Sequence, residues 1–489
     1  ASILYTLNAG RNNYTMTGNE TAGGLFGTSF NGTNASLADG SYIFHVFAND
    51  TSGNKNYTEN ITFNIDATTP TINFTTKTPA NFSKLNQDFI QVNITVTETN
   101  IDTILITLLN STLDLINSST SSTSTFYYNF STMNAGIYYI NSSVNDTAGN
   151  VNSTEIRTIV LTSIASCPLI LNVSNTVYLL RNNVTVGTSP CITIGANNVT
   201  VDLNGYMINF TGNLGIGVSI TGYNQTTVRD GMLFRFRRAI DTLLAYNLTA
   251  TNLSINGHHS GPGFLSNIFI AGGGYSVIDN STISGISATD AAYGVDIDGN
   301  TPPSNVYISD INVTYLSGAG SGPGGANGLF VGGNYTTVNN MNINGTRTGI
   351  WIDGGINSTI INSLINNSRE EAIQISTART VNSTFVNVTI VGTNESYHDF
   401  NISLVGINET FLVDMPHIGN YSFAGNKIIV KDTRYGEIRF LQTISGNRSN
   451  LTQDISILNN SVFVNSSQTG LNKSANVTLY GIGDRGFSN

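Results

Sequence analysis

Short stretches in which apolar and polar residues alternate recur along the whole chain, and residues 42–47 are a clear example. An alternation with a period of two is typical of β-strands that bury one face. Stretches with apolar residues three and four positions apart, which would indicate amphipathic helices, are scarce. No run of about 18 apolar residues, the length that crosses a membrane, occurs in the sequence. The pattern therefore predicts an all-β protein without a membrane-inserted segment.

A long phrase occurs twice, at residues 39–54 and 135–150, about 96 residues apart. In both copies a Tyr-containing strand runs into an Asp-Thr-x-Gly-Asn turn, and the spacing is that of one β-sandwich domain. The two segments resemble the final hairpin of immunoglobulin-like domains of prokaryotic surface proteins. The resemblance implies a partial immunoglobulin-like domain at residues 1–66 and a second domain at residues 67–164. We expect either that a longer chain precedes the first domain or that another subunit supplies its missing strands.

A different repeat begins after residue 163. Its unit is one outward residue between two inward apolar residues, and it returns roughly every 20 to 34 residues. The predicted strands are Ile192–Ile194, Val218–Ile220, Ile268–Ile270, Val295–Ile297, Leu329–Val331, Ile350–Ile352 and Ile373–Ile375. A second column of Asp and Asn residues follows at matching positions: Asp230, Asn252, Asn280, Asp310, Asn340, Asn362 and Asn387. Asp and Asn tolerate the left-handed backbone of a tight bend, and stacked amides can hydrogen-bond along such a column. The two columns predict a coiled solenoid with this Asx column at one bend.

This second part resembles the right-handed parallel β-helix repeat family, whose fold is that of pectate lyases. The opening segment, residues 167–205, is similar to the cap and first coil of that family. The resemblance implies a capped β-helix at residues 165–430 and a disulfide between Cys167 and Cys191, with two free thiols as the alternative. Closing that loop would add roughly 3 kcal/mol in the chain-entropy model. Residues 431–489 are expected to be a β-rich, incomplete C-terminal segment.

The chain carries few charges for its length of 489 residues: charged residues make up 10%, the net charge is -10 and the sequence pI is about 4.9. With 20 Lys and Arg residues, a phosphate-binding basic surface is excluded, and nucleic acid is not expected as a partner. Asn-x-Ser/Thr occurs roughly forty times, which indicates N-glycosylation, although an Asn-rich chain also makes such triplets by chance. The candidate glycosylation sites are Asn13, Asn31, Asn56, Asn73, Asn93, Asn117, Asn145, Asn172, Asn224, Asn334, Asn394, Asn420 and Asn476.

Candidate catalytic motifs are weak. Residues 257–260 resemble the Gly-His-Gly of polygalacturonases, but the paired Asp and the Arg-Ile-Lys elements that accompany it are absent. Residues 350–354 resemble the Trp-Ile-Asp-His of pectate lyases, but Gly354 stands in place of His. We therefore expect no catalytic residues and a protein that is not an enzyme.

A binding surface is better supported by the pattern. If the apolar pairs point inward, Asp296, Phe330, Trp351 and Gln374 stack outward on successive coils about 4.8 Å apart. Sugar rings stack on aromatic faces, so these four residues are candidates for carbohydrate binding. The alternative is that Phe330 and Trp351 are covered by the inserted loop at residues 317–327 or by another subunit.

Metal sites have little support in the sequence. Asp50 and Asp146 have oxygen-bearing neighbours that suit Ca²⁺, but a plain Asx turn explains both. His258 and His259 lack further ligand-type neighbours, and no zinc spacing occurs. We expect no metal and no cofactor, with Ca²⁺ as the only alternative.

These observations favour an extracellular or cell-surface protein, because a polar, uncharged and glycosylated surface resembles that of archaeal surface-layer glycoproteins. The expected function is a non-catalytic structural or adhesive glycoprotein that self-assembles into a surface layer or an extracellular filament. Its expected partners are copies of itself, covalent N-glycans and an extracellular polysaccharide. The alternative is a polysaccharide-binding or polysaccharide-cleaving β-helix protein.

Overall fold

The structure is a computed structural model. It describes residues 2–8, 11–18, 29–212, 214–257, 265–285, 292–298, 300–314, 326–376, 380–403, 405, 409–415, 417–448 and 450–481. The chain divides into two compact units. The first contains residues 1–84, 89–132 and 137–160, and the second contains residues 85–88, 133–136 and 161–489. Among the described residues no helix is long and apolar enough to cross a membrane.

Short antiparallel strands build the chain up to residue 161. They are β1 (Ser2–Thr6), β2 (Asn13–Thr15), β3 (Thr17–Gly18), β4 (Phe30–Asn31), β5 (Gly40–Asn49), β6 (Lys55–Tyr57), β7 (Ile61–Ile65), β8 (Thr71–Phe74), β9 (Ser83–Leu85), β10 (Ile90–Thr97), β11 (Ile101–Leu109), β12 (Leu115–Ser121), β13 (Thr125–Phe130), β14 (Gly136–Asp146), β15 (Val151–Ser153) and β16 (Arg157–Leu161).

These strands form antiparallel sheets that bury alternate residues. One sheet has the order β2-β1-β5-β6, with β7 also paired to β5; a second has the order β13-β10-β8, and a third has the order β12-β11-β14-β16-β9. Every second residue of β10 is buried from Ile90 to Val96, and the same alternation buries Ile104, Ile106 and Leu108 of β11. This period of two is the one on which the β prediction rested. The immunoglobulin-like identity of residues 1–66 and 67–164 stays a prediction.

From residue 163 the strands follow one another around a solenoid and its C-terminal end. They are β17 (Ser163–Ile164), β18 (Leu169–Leu171), β19 (Thr176–Leu180), β20 (Val184–Val186), β21 (Ile192–Ile194), β22 (Val199–Asp202), β23 (Met207–Phe210), β24 (Ile216–Thr221), β25 (Thr227–Phe234), β26 (Arg238–Leu243), β27 (Thr249–Asn256), β28 (Leu265–Ala271), β29 (Val277–Ser284), β30 (Ala292–Ile297), β31 (Tyr307–Thr314), β32 (Ala326–Val331), β33 (Thr337–Asn339), β34 (Asn342–Asn344), β35 (Ile350–Ile352), β36 (Thr359–Ile361), β37 (Leu364–Asn366), β38 (Ile373–Ile375), β39 (Ser383–Val386), β40 (Thr389–Val391), β41 (Phe400–Ile402), β42 (Glu409–Val413), β43 (Tyr421–Asp432), β44 (Gly436–Phe440), β45 (Ile444–Arg448), β46 (Ile455–Leu458), β47 (Ser461–Val464) and β48 (Ala475–Leu479), with a 3-10 helix at Leu451–Gln453.

The solenoid is a right-handed parallel β-helix of about nine turns, and the predicted fold class is confirmed. The predicted inward residues are all buried: Ile192, Ile194, Val218, Ile220, Ile268, Ile270, Val295, Ile297, Leu329, Val331, Ile350, Ile352, Ile373 and Ile375. Burying each aliphatic side chain contributes about 1.5–3 kcal/mol, so the stacked pairs supply the core of every turn. Strands of one turn pair in parallel with those of the next, as β30 pairs with β32.

The seven residues of the Asx column all have a left-handed backbone, with φ between 42° and 60°. Side-chain amides bond along the column: Asn252 Nδ2 donates to Asp230 Oδ1 at 2.7 Å, and Asn387 Nδ2 donates to Asn362 Oδ1 at 2.9 Å. Asp414, with φ 49°, occupies the matching bend of a later turn. A left-handed backbone is strained for most residues, and the short Asp or Asn side chain compensates by hydrogen-bonding locally.

Both ends of the solenoid differ from its middle. Near the start, Cys167 and Cys191 form the expected disulfide, with the two Cα atoms 4.9 Å apart. At the other end β43 still pairs in parallel with β41 and β42, but β44 and β45 pair with β43 in the antiparallel direction. The parallel stacking therefore stops at β43. The domain limits 165–430 and 431–489 remain predictions.

Candidate functional site

One outward position of the solenoid forms a continuous row across seven turns. The cross-strand register runs Asp241, Phe269, Asp296, Phe330, Trp351, Gln374 and Asn401. We call this row the strip. The four carbohydrate-binding candidates of the sequence occupy its third to sixth positions. Because successive strands are about 4.8 Å apart, the whole strip is roughly 29 Å long.

Aromatic rings cluster in the middle of the strip. The ring centroids of Tyr293 and Phe330 are 5.4 Å apart, and those of Phe330 and Trp351 are also 5.4 Å apart, at an interplanar angle of 90°. Trp351 Nε1 donates to Ser376 Oγ at 2.6 Å, which fixes the indole ring. Phe330 and Trp351 are half-buried. Most of the loop at 317–327, the alternative cover for these rings, lies outside the described residues.

Asp296 is a buried carboxyl group beside this cluster, with 8% of its surface exposed. Ser266 Oγ donates to Asp296 Oδ2 at 2.6 Å. Burial raises the pKa of Asp296 to about 6, and the Ser266 hydrogen bond and the charge of Arg238 oppose that rise only partly. A carboxyl group with this pKa still holds its proton in mildly acidic solution, so it can donate a proton to a bound molecule.

Two further carboxylates lie next to the strip, each two residues after a strip residue in the sequence. Asp298 follows Asp296, and Asp353 follows Trp351. The backbone amides of Asp298, Gly332 and Asp353 continue the ladder on three successive turns. Burial would raise the pKa of Asp298, but hydrogen bonds from Thr301 and Asn300 outweigh it, and the pKa is lowered. The Asp353 carboxylate has no hydrogen-bond partner among the described residues. Asp298 therefore holds a turn, while the Asp353 carboxylate is available to a ligand.

Two arginines beside the strip, Arg238 and Arg347, are engaged in ion pairs. Arg238 Nη1 lies 2.8 Å from Asp241 Oδ1, and the Arg238 guanidinium stacks 3.7 Å from the centroid of the Phe269 ring. Arg347 Nε lies 2.7 Å from Glu370 Oε2. These pairs engage the guanidinium groups of Arg238 and Arg347.

Sequence reasoning missed several members of this site. Strand β26 was not predicted because Thr242 stands where the repeat has an inward aliphatic residue, and Asp241 and Arg238 were missed with it. Tyr293 lies in β30, where all six residues are buried, so the simple alternation does not identify it as part of the site. Burial raises the pKa of its phenol to about 12. Phe269 was missed as well, although its outward position in the predicted strand Ile268–Ile270 was a signal that could have identified it.

Other candidates of the sequence have simpler roles. His258 and His259 lie outside the described residues. The Asp50 carboxylate accepts hydrogen bonds from the amides of Ser52 and Asn54, and Asp146 accepts the equivalent bonds from the amides of Ala148 and Asn150. Both residues thus form Asx turns. Within the described ranges, no group of three or more metal-binding side chains occurs.

The candidate glycosylation sites differ in exposure. The exposed asparagines are Asn13, Asn31, Asn56, Asn73, Asn117, Asn172, Asn394 and Asn476, and the half-buried ones are Asn93, Asn145, Asn224, Asn334 and Asn420. Asn420 Nδ2 donates to the carbonyls of Glu395 and Tyr397, both at 3.1 Å, and Asn145 Nδ2 donates to Asp102 Oδ2 at 3.3 Å. A glycan on either of these two amides would replace existing hydrogen bonds.

Comparison with known proteins gives similar structures. No protein-family model and no curated protein matches the chain. An exopolygalacturonase from Thermotoga maritima is similar at 12% identity and a TM-score of 0.40, over 59% of this chain and 87% of that one. The catalytic domain of a GH87 α-1,3-glucanase is similar at 13% identity and a TM-score of 0.28, over 79% and 88%. A pectate lyase from Pectobacterium carotovorum is similar at 10% identity and a TM-score of 0.12, over 73% and 91%.

These comparisons contradict the expectation that the protein is not an enzyme, because the three similar structures are those of an exopolygalacturonase, a glucanase and a pectate lyase. At such identities the likeness concerns the fold alone. The chemistry open to this chain therefore depends on its own carboxylates and aromatic rings.

Proposed function

We propose that the β-helix binds a polysaccharide along the strip and cleaves a glycosidic bond there. The observation that carries the proposal is the position of Asp296, a carboxyl group with a pKa of about 6, one turn from Phe330 and two turns from Trp351 in the ladder. Aromatic faces bind the apolar faces of sugar rings, and a protonated carboxyl group is the acid that glycoside hydrolysis requires.

In the proposed reaction Asp296 donates its proton to the glycosidic oxygen, and the bond between that oxygen and the anomeric carbon breaks. Asp353 accepts a proton from a water molecule whose oxygen bonds to the same carbon. Both products then end in hydroxyl groups, and proton exchange with solvent restores the two side chains. Asp353 lies two turns and two residues from Asp296, roughly 12 Å at the Cα atoms, which leaves room for a water molecule between the two side chains.

We expect the polymer to be uncharged. Recognition of a uronate polymer would need unpaired cations, but Arg238 and Arg347 are already bound to Asp241 and Glu370. Asp298, Asp353 and Glu371 add negative charge near the strip and would repel an anionic chain. Trp351, Gln374 and Asn401 offer an aromatic face and two amides, which suit the hydroxyl groups of a neutral sugar.

The test is release of reducing ends from a panel of soluble polysaccharides: a glucan, a mannan, a xylan and a polyuronate. We expect release from a neutral polymer, its loss in Asp296→Asn and Asp353→Asn, and normal release in Asp88→Asn, which removes an exposed carboxylate elsewhere. Retention in a polysaccharide-containing gel separates binding from cleavage. If no polymer is bound or cleaved, the proposal is wrong; if one is bound without cleavage, only the catalytic part is wrong.

We further propose that this activity operates outside the cell. The protein itself carries N-glycans and associates with copies of itself. The low content of charged side chains supports this, because attached glycans would supply the hydration that ionised groups usually give. The eight exposed candidate asparagines support it as well. Glycopeptide mass spectrometry and imaging of the native protein test the two parts. Unmodified asparagines would contradict the first part, and isolated monomers at high concentration the second.

A further inference from the structure

A second group of exposed aromatic residues lies at and beside a bend of the solenoid, away from the strip. Isolated bridges join Tyr246, Gly274, Ser304 and Asn334 on four successive turns, which places the following residues in register. Four tyrosines belong to these turns: Tyr246, Tyr275, Tyr307 and Tyr335, which are 46%, 60%, 40% and 53% exposed. We call them the tyrosine edge. In the part of the chain that the structure describes, no ring contact joins any two of them.

Two of these tyrosines have an unusual backbone. Tyr275 and Tyr335 have φ of 55° and 53°, at the left-handed position of this bend. On the neighbouring turns that position holds Asn247, with φ 57°, and Asn305, with φ 56°. A left-handed backbone costs a residue other than Gly, Asn or Asp roughly 1–2 kcal/mol. The fold alone would therefore favour Asn at both sites, and strained residues of this kind are typical of functional positions.

The chemistry around the tyrosine edge is uncharged. The segments 246–249, 274–277, 304–307 and 334–337 contain no Asp, Glu, Lys or Arg. Their polar groups are hydroxyls and amides, including those of Asn247, Ser304 and Asn305. Tyr275 and Tyr335 are two turns apart, roughly 9.6 Å, a distance comparable to a disaccharide unit of an extended glycan. Two exposed aromatic faces at equivalent positions two turns apart, among uncharged hydrogen-bonding groups, suit a neutral polysaccharide better than an anion or a charged protein surface.

We propose that the tyrosine edge is a second, non-catalytic binding site for a neutral polysaccharide chain running along the solenoid axis. The site is separate from the strip, because the tyrosine edge lies at a bend outside the strands that carry the strip and includes none of the strip residues. Its role is to hold an insoluble or long polymer while the strip acts on part of it.

The test replaces both strained tyrosines by the residue of the neighbouring turns, in Tyr275→Asn/Tyr335→Asn. The protein is produced in a host that adds no N-glycans, and its retardation is measured in gels containing the glucan, the mannan or the xylan. We expect at least a several-fold weaker apparent affinity for a polymer that retards the unchanged protein, with a melting temperature that is equal or higher. Tyr127→Asn, which removes a 52% exposed tyrosine from strand β13, is the matched control and should leave retardation unchanged.

Failure at this edge is distinguishable from failure at the strip. Trp351→Ala tests the strip in the same gels, and cleavage of a short soluble oligosaccharide by the double tyrosine variant should remain normal. Retardation of the double variant equal to that of the unchanged protein overturns the inference, and so does the absence of any retardation. Self-association in sedimentation velocity that the double variant abolishes would assign the edge to a second copy. Full glycan occupancy of Asn247 or Asn334 in the native protein would assign the tyrosines to the protein's own glycans.

Discussion

The Asx column and the strip are built by the same stacking of turns, yet they differ in what repeats. At the bend the same two residue types return on every turn from Asp230 to Asn387, each with a left-handed φ. Along the strip the residue type changes at every step, from Asp296 to Phe330 to Trp351 to Gln374. The bend has one physical requirement, which Asx residues meet. The strip has no such requirement from the fold, so its residues are free to differ from turn to turn.

The largest expected effect comes from the carboxylates at the strip. Asp296→Asn keeps the size of the side chain and a partner for the Ser266 hydroxyl but removes the acid. We expect the rate of reducing-end release to fall about 10²- to 10⁴-fold, the usual contribution of a general acid. The melting temperature should stay the same or rise at neutral pH, because the variant no longer buries an ionised carboxylate. If this variant instead fails to fold, Asp296 is needed for the fold, and the strip does not differ from the bend in that respect.

A pH dependence of stability should follow from the same residue. The pKa of Asp296 is about 6 in the folded protein and about 3.9 in an unfolded chain, so the folded state holds a proton that the unfolded state has released between these values. Stability is therefore expected to fall as the pH rises from about 4 to about 6, by about 3 kcal/mol, and to change no further from this group above pH 6. Urea midpoints of the unchanged protein and Asp296→Asn across this range measure the difference. Parallel curves for the two proteins would show that Asp296 titrates normally.

The activity should respond to the same proton. Because the acid must be protonated to act, we expect release of reducing ends to decline above about pH 6. A rate that stays constant from pH 5 to pH 8 would exclude Asp296 as the acid. The measurement is a pH profile on the polymer that the protein cleaves, with binding followed separately in gels.

A smaller effect is expected at the bend. Asn340→Ala removes the bond from Asn340 Nδ2 to Asp310 Oδ1, at 2.5 Å, and places a Cβ-bearing residue without local bonding at φ 53°. We expect a loss of about 1–2 kcal/mol in stability with activity retained. Asn340→Gly also loses the bond but accepts the left-handed backbone, so it should be more stable than the Ala variant. Equal stability of the two variants would show that backbone strain does not shape this column.

The smallest expected effect is a gain at the tyrosine edge. Tyr275→Asn relieves a strained backbone on the surface, and we expect stability to rise by up to about 1 kcal/mol, visible as a higher urea midpoint. A lower midpoint would mean that packing of the Tyr275 ring outweighs the strain.

The sequence predicts the parts of this molecule that repeat. Inward aliphatic pairs and the Asx column have one physical cause on every turn, so they could be found from spacing alone, and so could the outward positions of Asp296, Phe330, Trp351 and Gln374. Strand β26 escaped because Thr242 interrupts the apolar pattern. The partners of Asp296 escaped for a different reason: Ser266 and Arg238 meet it across turns, and neither residue has a spacing that marks it. The second left-handed bend was missed because Tyr275 and Tyr335 hide its Asn pattern.

The central claim is that the strip is a polysaccharide site, and retention of Trp351→Ala in polysaccharide gels tests it most directly. Phe463→Ala, which removes an aromatic ring that is 51% exposed in strand β47, is the matched control. We predict that at least one neutral polymer retards the unchanged protein and the control, and that the Trp351 variant is retarded several-fold less. Equal retardation of all three proteins, or none of them retarded by any polymer, would contradict the account.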